Sequence, residues 1–321
     1  MRLLHILALA GASLTLPSVS AQTYPDRPVT LIVAFAPGGT SSIVGRSVAQ
    51  YMSDEIHQPI VVDHRPGAGG AIGTVAVARS APDGYTMGLA TVSTHVINPA
   101  CNPNLSYDPV KDFRPIVMLA RSAKMIAVHP SFPATNFEEF KEEIKKNPGK
   151  YSYATSGVCA LGHLLGEQYQ ALTGSKLVHV PYRGAGPALN DVLGGQVPIL
   201  MDNLPAILPS IKAGKLRPII LSWDERMADL PDVPTFAEVG LQAMNQAAWH
   251  GLVAPAGTPD DVIRTLNQAA VKVLKNPKLA ETIRGAGAEP AGNTSEQFGD
   301  EIRTDFENMK QLVKTQNIQI E

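Results

Sequence analysis

The chain has 321 residues, 44% of them hydrophobic and 17% charged, with a formal net charge of -2. That is ordinary globular composition, which excludes disorder as a main theme. No Lys/Arg cluster stands out, so nucleic acid is not an expected partner, because phosphate binding needs a concentrated positive patch.

The first residues carry Arg2, an apolar run from Leu3 to Leu16 broken by Gly11, then Pro17 and a Val19-Ser20-Ala21 end. Residues 1–21 therefore read as a secretory signal cleaved near Ala21, too short in its apolar core for the ~20 residues of a membrane span. A mature chain of about 300 residues, outside the cytoplasm, suits two domains rather than one core.

From Arg27 strand-like and helix-like runs alternate, the pattern of a mostly parallel sheet covered by helices. Val29 to Phe35 predicts a strand, Ser42 to Ile56 a helix, Pro59 to Val62 a strand, Gly70 to Ser80 a helix and Tyr85 to Ala90 a strand. The rhythm restarts with strands at Met125 to His129 and Tyr151 to Ala154 around a charged helix, Asn136 to Lys146. Leu161 to Leu172 and Pro187 to Leu193 follow as helices, with Leu177 to Val180 and Val197 to Met201 as strands. Pro259 to Lys275 and Ser295 to Lys314 predict amphipathic helices, without strands between them, that pack back on the first half. The expected division is residues 22–122 plus 250–321 as one lobe and 123–249 as the other, with crossings near Leu119 to Ser122 and Trp249 to Ala254.

Glycines fall at the strand-to-helix junctions: Pro37-Gly38-Gly39-Thr40-Ser41-Ser42 and Pro66-Gly67-Ala68-Gly69-Gly70 in the first half. Thr155-Ser156-Gly157, Pro181-Tyr182-Arg183-Gly184 and Asp202-Asn203 occupy matching junctions in the second. Such loops lie at the crevice of open α/β sheets and point backbone N–H groups, beside a helix dipole, at an anion. A carboxylate held by main-chain amides and hydroxyls suits this chemistry, although each loop alone could be a capped turn.

Other chemistries fit poorly. The run Gly67 to Gly73 misses the dinucleotide fingerprint at its last glycine and is not in the first strand unit. Cys159 and His163 have the spacing of a nucleophile and base, but nothing nearby marks an activated thiolate. His95, His163, His179 and His250 are scattered without metal-ligand spacing. No metal, no cofactor and no catalytic residue is therefore expected, and a secreted hydrolase stands only as an alternative. Cys101 and Cys159 are too few for a disulfide framework, yet an oxidising compartment would allow one bridge.

Several motifs together resemble a known family. They include Tyr24-Pro25-Asp26-Arg27-Pro28-Val29, Ala36-Pro37-Gly38-Gly39, Arg65-Pro66-Gly67-Ala68-Gly69-Gly70 and Ala81-Pro82-Asp83-Gly84-Tyr85. His179-Val180-Pro181-Tyr182, Met201-Asp202-Asn203-Leu204-Pro205 and Ala254-Pro255-Ala256-Gly257-Thr258-Pro259 extend them across the mature chain. The chain resembles the Bug family, the solute receptors of tripartite tricarboxylate transporters.

The resemblance implies an α/β, two-lobed type II periplasmic binding fold, with mostly parallel sheets, helices on both faces and a ligand cleft between lobes. It implies a monomer in the periplasm that binds a small carboxylate and hands it to membrane transporter subunits, one large and one small, or else serves as a sensor. On this basis Phe35, Gly38, Gly39, Thr40, Ser41, Ser42, Ala68, Gly69, Gly70, Ser93, Thr94 and His95 would hold one carboxylate on the first lobe. Thr155, Ser156, Gly157, His163, Asp202 and Asn203 would meet the ligand from the second, and a facing carboxylate would raise the pKa of Asp202. The family often has Asp where this chain has Ser42, which argues for a carboxylic acid over an amino acid. Cys159-Ala160-Leu161-Gly162 replaces small hydroxyl residues, which suggests an aromatic or longer aliphatic acid. A Cys101–Cys159 bridge would tie the lobes together, so free or separately packed thiols are expected.

Overall fold

The computed structural model describes residues 24–315, and the expected leader and its cleavage point lie outside the described residues. The chain begins with β1 (Val29–Val33), α1 (Thr40–Glu55), β2 (Ile60–His64), α2 (Ala71–Ala78) and β3 (Thr86–Thr91). A π-turn at Ser93–Ile97 leads into α3 (Asn98–Cys101) and then β4 (Phe113–Ser122). Only Ala123 separates β4 from β5 (Lys124–Val128), so the chain enters its second half along a nearly continuous strand.

The second half runs α4 (Phe137–Lys146), β6 (Ser152–Thr155), α5 (Leu161–Thr173), β7 (Val178–Pro181) and α6 (Ala185–Leu193). It finishes with β8 (Ile199–Asn203), α7 (Leu204–Lys212) and β9 (Arg217–Leu221). The return strand β10 (Ala248–Pro255) precedes α8 (Asp260–Leu274), α9 (Pro277–Gly285), β11 (Ala288–Pro290) and α10 (Ser295–Thr315).

The strands form two sheets, ordered β11-β4-β10-β3-β1-β2 and β7-β6-β8-β5-β9. Strands joined through helices pair in parallel, β1 with β2 and β3, and β6 with β7 and β8. The crossing strands reverse this: β10 lies antiparallel to β3 and β4, and β5 antiparallel to β8 and β9. The sheets are thus mixed rather than mostly parallel, because a strand that enters a sheet from the other lobe arrives without a helical crossover to set its direction. The expected boundary at 249/250 falls inside β10, whose Trp249 already pairs with Arg121. The C-terminal region was also expected to lack strands between its helices, but β11 sits there, pairing with β4 from Ala288 to Pro290.

The sequence explains the helix ends. α4 has an Asn136 side chain accepting from the Glu139 amide, with Glu138 and Glu139 in its first turn and Lys145 and Lys146 in its last. Charges placed this way favour the helix dipole. α10 packs on the first lobe as expected: Phe298 is fully buried and meets Trp249 edge-on at 5.2 Å, while Ser295 Oγ donates to the Pro115 carbonyl. Around the second sheet, Phe140, Tyr153 and Tyr169 bury their rings in one core on the α4 and α5 side. Each lobe so owns a core, and the cleft is what lies between them.

Candidate functional site

The helices that start at the lobe boundary lack the features that finish α4. α1 begins after Gly39 with no side-chain cap and no acidic residue in its first turn. α5, α6 and α7 likewise begin without a side-chain cap or an early acid. In α1 the Gly39 carbonyl accepts the amides of Ser42 and Ile43, which leaves those of Thr40 and Ser41 without a partner among the described residues. Unpaired amides at the positive end of a helix dipole are an anion receptor.

The lobes are closed on each other. The Ala36 amide donates to the Arg183 carbonyl at 3.2 Å, and the Leu161 amide to Ser93 Oγ at 3.0 Å. Glycines make this approach possible: a Cβ on Gly186 would lie 2.2 Å from the Pro37 carbonyl oxygen, and one on Gly69 2.2 Å from that of Val158.

Between the closed lobes lies a cavity of about 20 Å³, lined by Phe35, Gly39, Thr40, Ser41, Thr91, Ser93, Ser156, Ala185, Asp202, Asn203 and His250. Of the residues expected from sequence, it brings together Phe35, Gly39, Thr40, Ser41 and Ser93 from one lobe with Ser156, Asp202 and Asn203 from the other. Thr40 Oγ1, Asp202 Oδ2 and His250 Nδ1 are buried without a hydrogen-bond partner among the described residues. Burial drives the Asp202 carboxyl up to about 6, against the pull of the Asn203 amide and the Ser156 hydroxyl. Burial holds His250 down at about 4, so its imidazole is neutral at physiological pH.

The other expected residues do not line this cavity. Gly38 stands beside Gly186, and Gly69 and Gly157 form a second closing contact, while Gly70 packs on Thr94 and Phe35 and the Ala68 carbonyl accepts from Asn98 within the first lobe. Ser42 turns towards His64, with 3.5 Å between Oγ and Nε2. Thr94 bonds within its own turn to Thr91 and His95, and His95 packs 4.7 Å from Phe113 inside the first lobe. Thr155 bonds His179 at 2.7 Å, and His163 stacks on His179 at 3.8 Å, inside the second lobe. Leu161 lines a different cavity.

Thr91, Ala185 and His250 line the cavity but were not among the expected residues. Ala185 follows directly on the Arg183-Gly184 junction, a signal that could have found it. His250 sits in a return strand whose pairing no local pattern reveals.

Cys101 and Cys159 are free thiols. They are neighbours across the lobe boundary, and their mutual influence raises the Cys101 thiol and lowers that of Cys159. His163 Nδ1 accepts the Cys159 main-chain amide at 3.2 Å, a contact that orients the ring to the backbone and not to the thiol. Cys159 and His163 therefore form no nucleophile–base pair. Among the described residues no cluster of His, Cys, Asp and Glu could hold a metal ion.

Residues 44–318 match the tripartite tricarboxylate transporter family receptors (TctC). Protein BugT of Bordetella pertussis is 35% identical over 309 residues, 94% of each chain. A solved periplasmic transporter superposes with a TM-score of 0.91 at 50% identity, covering 93% of this chain and 100% of that one. R. palustris Rpa4515 with adipate gives a TM-score of 0.88 at 32% identity, with 92% and 99% covered. MatC from Rhodopseudomonas palustris with bound malate gives 0.86 at 29%, with 90% and 100% covered. With its two-lobed fold and a cleft built from helix starts, the chain belongs to the tripartite tricarboxylate transporter receptor family, periplasmic solute-binding proteins rather than enzymes.

Proposed function

We propose that this protein captures a small dicarboxylate between its lobes and delivers it to the two membrane subunits of a tripartite transporter. The observation that carries the proposal is the set of unsatisfied polar atoms on Thr40, Asp202 and His250 around one cavity. A buried polar group without a partner costs about 1–3 kcal/mol, so a ligand that supplies acceptors is bound partly by relieving that penalty.

The donors set the ligand class. The Thr40 and Ser41 amides, the hydroxyls of Thr40, Ser93 and Ser156 and the side-chain NH2 of Asn203 all suit carboxylate oxygens. Protonated Asp202 donates a further hydrogen bond. With its carboxyl at about 6, it carries a proton in much of the population in mildly acidic solution. The cavity holds only one or two water-sized groups when closed, so the lobes part slightly around a chain the length of adipate or malate. Relatives solved with adipate and malate support an aliphatic diacid.

Closure is the mechanism. The ligand touches both lobes only when they meet, so it binds the closed form more tightly and shifts the population towards it. A transporter subunit that recognises the closed pair of lobes then receives loaded receptor. A sensor protein reading the same closed form is the alternative output.

The test is a thermal-shift series of the mature protein with mono-, di- and tricarboxylates, aromatic acids and acidic amino acids. Binding only to the folded state adds about 2.7 kcal/mol of stability at a hundredfold excess over Kd. A shift confined to aliphatic diacids supports the proposal. Shifts with amines or sugars alone overturn it.

A further inference from the structure

Near the strand crossing a second cavity of about 90 Å³ opens between the lobes; it shares no lining residue with the cleft cavity and adjoins it at Leu161, whose amide bonds Ser93. One wall is apolar, formed by Val96 and Ile97 from the π-turn, Leu164 from α5, and Met309 and Leu312 from α10, while Gln168, Gln246, Asp305 and Asn308 bring polar groups to the rest. One cation enters it. Lys124 opens β5 immediately after the crossing, its main chain fixed by hydrogen bonds with Ser222, and its side chain lines the cavity.

No acceptor side chain pairs with the Lys124 ammonium among the described residues; burial alone, with no charged neighbour, lowers its pKa to about 8. Gln168, a buried amide on α5, lines the same space and makes no side-chain hydrogen bond among the described residues. Asp305, the acid on the wall, is engaged elsewhere: it accepts from Trp249 Nε1 at 2.8 Å and feels the Arg121 charge. Lys124 is half-buried, and a partly desolvated cation without a paired counter-ion is an arrangement that an entering anion would relieve.

We propose that this hinge cavity is a second ligand site, which takes a short aliphatic monocarboxylate. The carboxylate pairs with Lys124 and accepts from Gln168, and the hydrocarbon chain lies against Leu164, Met309 and Leu312. The volume suits about four to six carbons. A single cation with the acid Asp305 on the same lining disfavours a second carboxylate, which separates this ligand from that of the cleft. Both lobes line the cavity, so its occupancy is linked to closure and therefore to the affinity of the cleft, by the same factor in each direction.

The experiment is a calorimetric titration of the mature protein with hexanoate, in the wild type, in Lys124→Met and in Leu164→Trp, which fills the cavity. The expected result is saturable binding to the wild type, weakened about tenfold or more by Lys124→Met and abolished by Leu164→Trp. Both variants should keep their cooperative melting and their response to adipate in thermal shift. Hexanoate binding unchanged in both variants, or lost on addition of adipate in simple competition, would place it in the cleft and overturn the proposal. An absence of hexanoate binding to the wild type overturns it too, and leaves the cleft function standing on its own series.

Discussion

Ser93 Oγ accepts the amide of Leu161 at 3.0 Å, and the two residues belong to different lobes. The same serine lines the cleft cavity, and Leu161 is the first residue of α5. The bond exists only when the lobes meet, so it ties closure to a side chain at the ligand. Ser93→Ala should remove about 1 kcal/mol from the closed form and weaken carboxylate binding roughly fivefold. Calorimetry would measure it, with the unliganded melting temperature almost unchanged.

Gly186→Ala isolates closure from binding chemistry. The new Cβ would stand 2.2 Å from the Pro37 carbonyl oxygen of the other lobe. Gly186 lies in the first turn of α6, where alanine is a better helix former than glycine. The variant should melt no lower than wild type without ligand, yet bind its carboxylate about tenfold or more weakly. Small-angle scattering should show a wider molecule in the presence of ligand.

Asp202 gives binding a pH signature. Its carboxyl rises from the unfolded value of 3.8 to about 6. A native pKa above the unfolded one means the native state holds the extra proton, so this group's stabilisation is present below pH 3.8 and is lost as pH rises through 6. A ligand carboxylate facing Asp202 raises its pKa further, so binding takes up a proton and affinity should fall between pH 5 and 7.5. Asp202→Asn should flatten that dependence and raise the melting temperature more at pH 7.5 than at pH 5.

The buried histidines act in the opposite sense. Burial lowers His95 and His179 to about 3, and His163 and His250 to about 4. For each, stability is present above the unfolded value of 6.5 and is lost as pH falls towards the native value. Unfolding must charge all of them, so their combined effect exceeds that of Asp202. Calorimetric melting temperatures should fall steadily from pH 7 to pH 4.5.

The thiol pair reports closure. Cys101 and Cys159 are neighbours across the lobe boundary, and Cys159 is buried. Saturating carboxylate should slow their alkylation, and the unfolded, unreduced protein should yield both thiols. Alkylation rates indifferent to ligand would show that the boundary does not open at this point.

The helix and strand runs were legible wherever burial has a simple period. α4 and α10 display it, and so do β1 and β3. β9 was missed because Arg217-Pro218 opens it, and proline argues against a central strand, although this one lies at a sheet edge. β11 is only Ala288 to Pro290 long, and its existence depends on β4 being beside it. In the cleft, the glycine junctions pointed to Thr40, Ser41, Ser156 and Asn203 through backbone chemistry alone. They could not tell that His95 and His163 turn inward, because side-chain direction there is fixed by stacking on Phe113 and His179.

The bare start of α1 also bears on how this protein could change its cargo. In the proposed site the peptide N–H groups of Thr40 and Ser41 hold a carboxylate oxygen, and no substitution short of proline can delete them. Replacing Ala185 or His250 would then redraw the outline of the accepted acid while its charged end remained held. On that reading the anion grip and the specificity rest on separable parts of the molecule, so a new preference could be acquired one side chain at a time, without first losing the ability to bind.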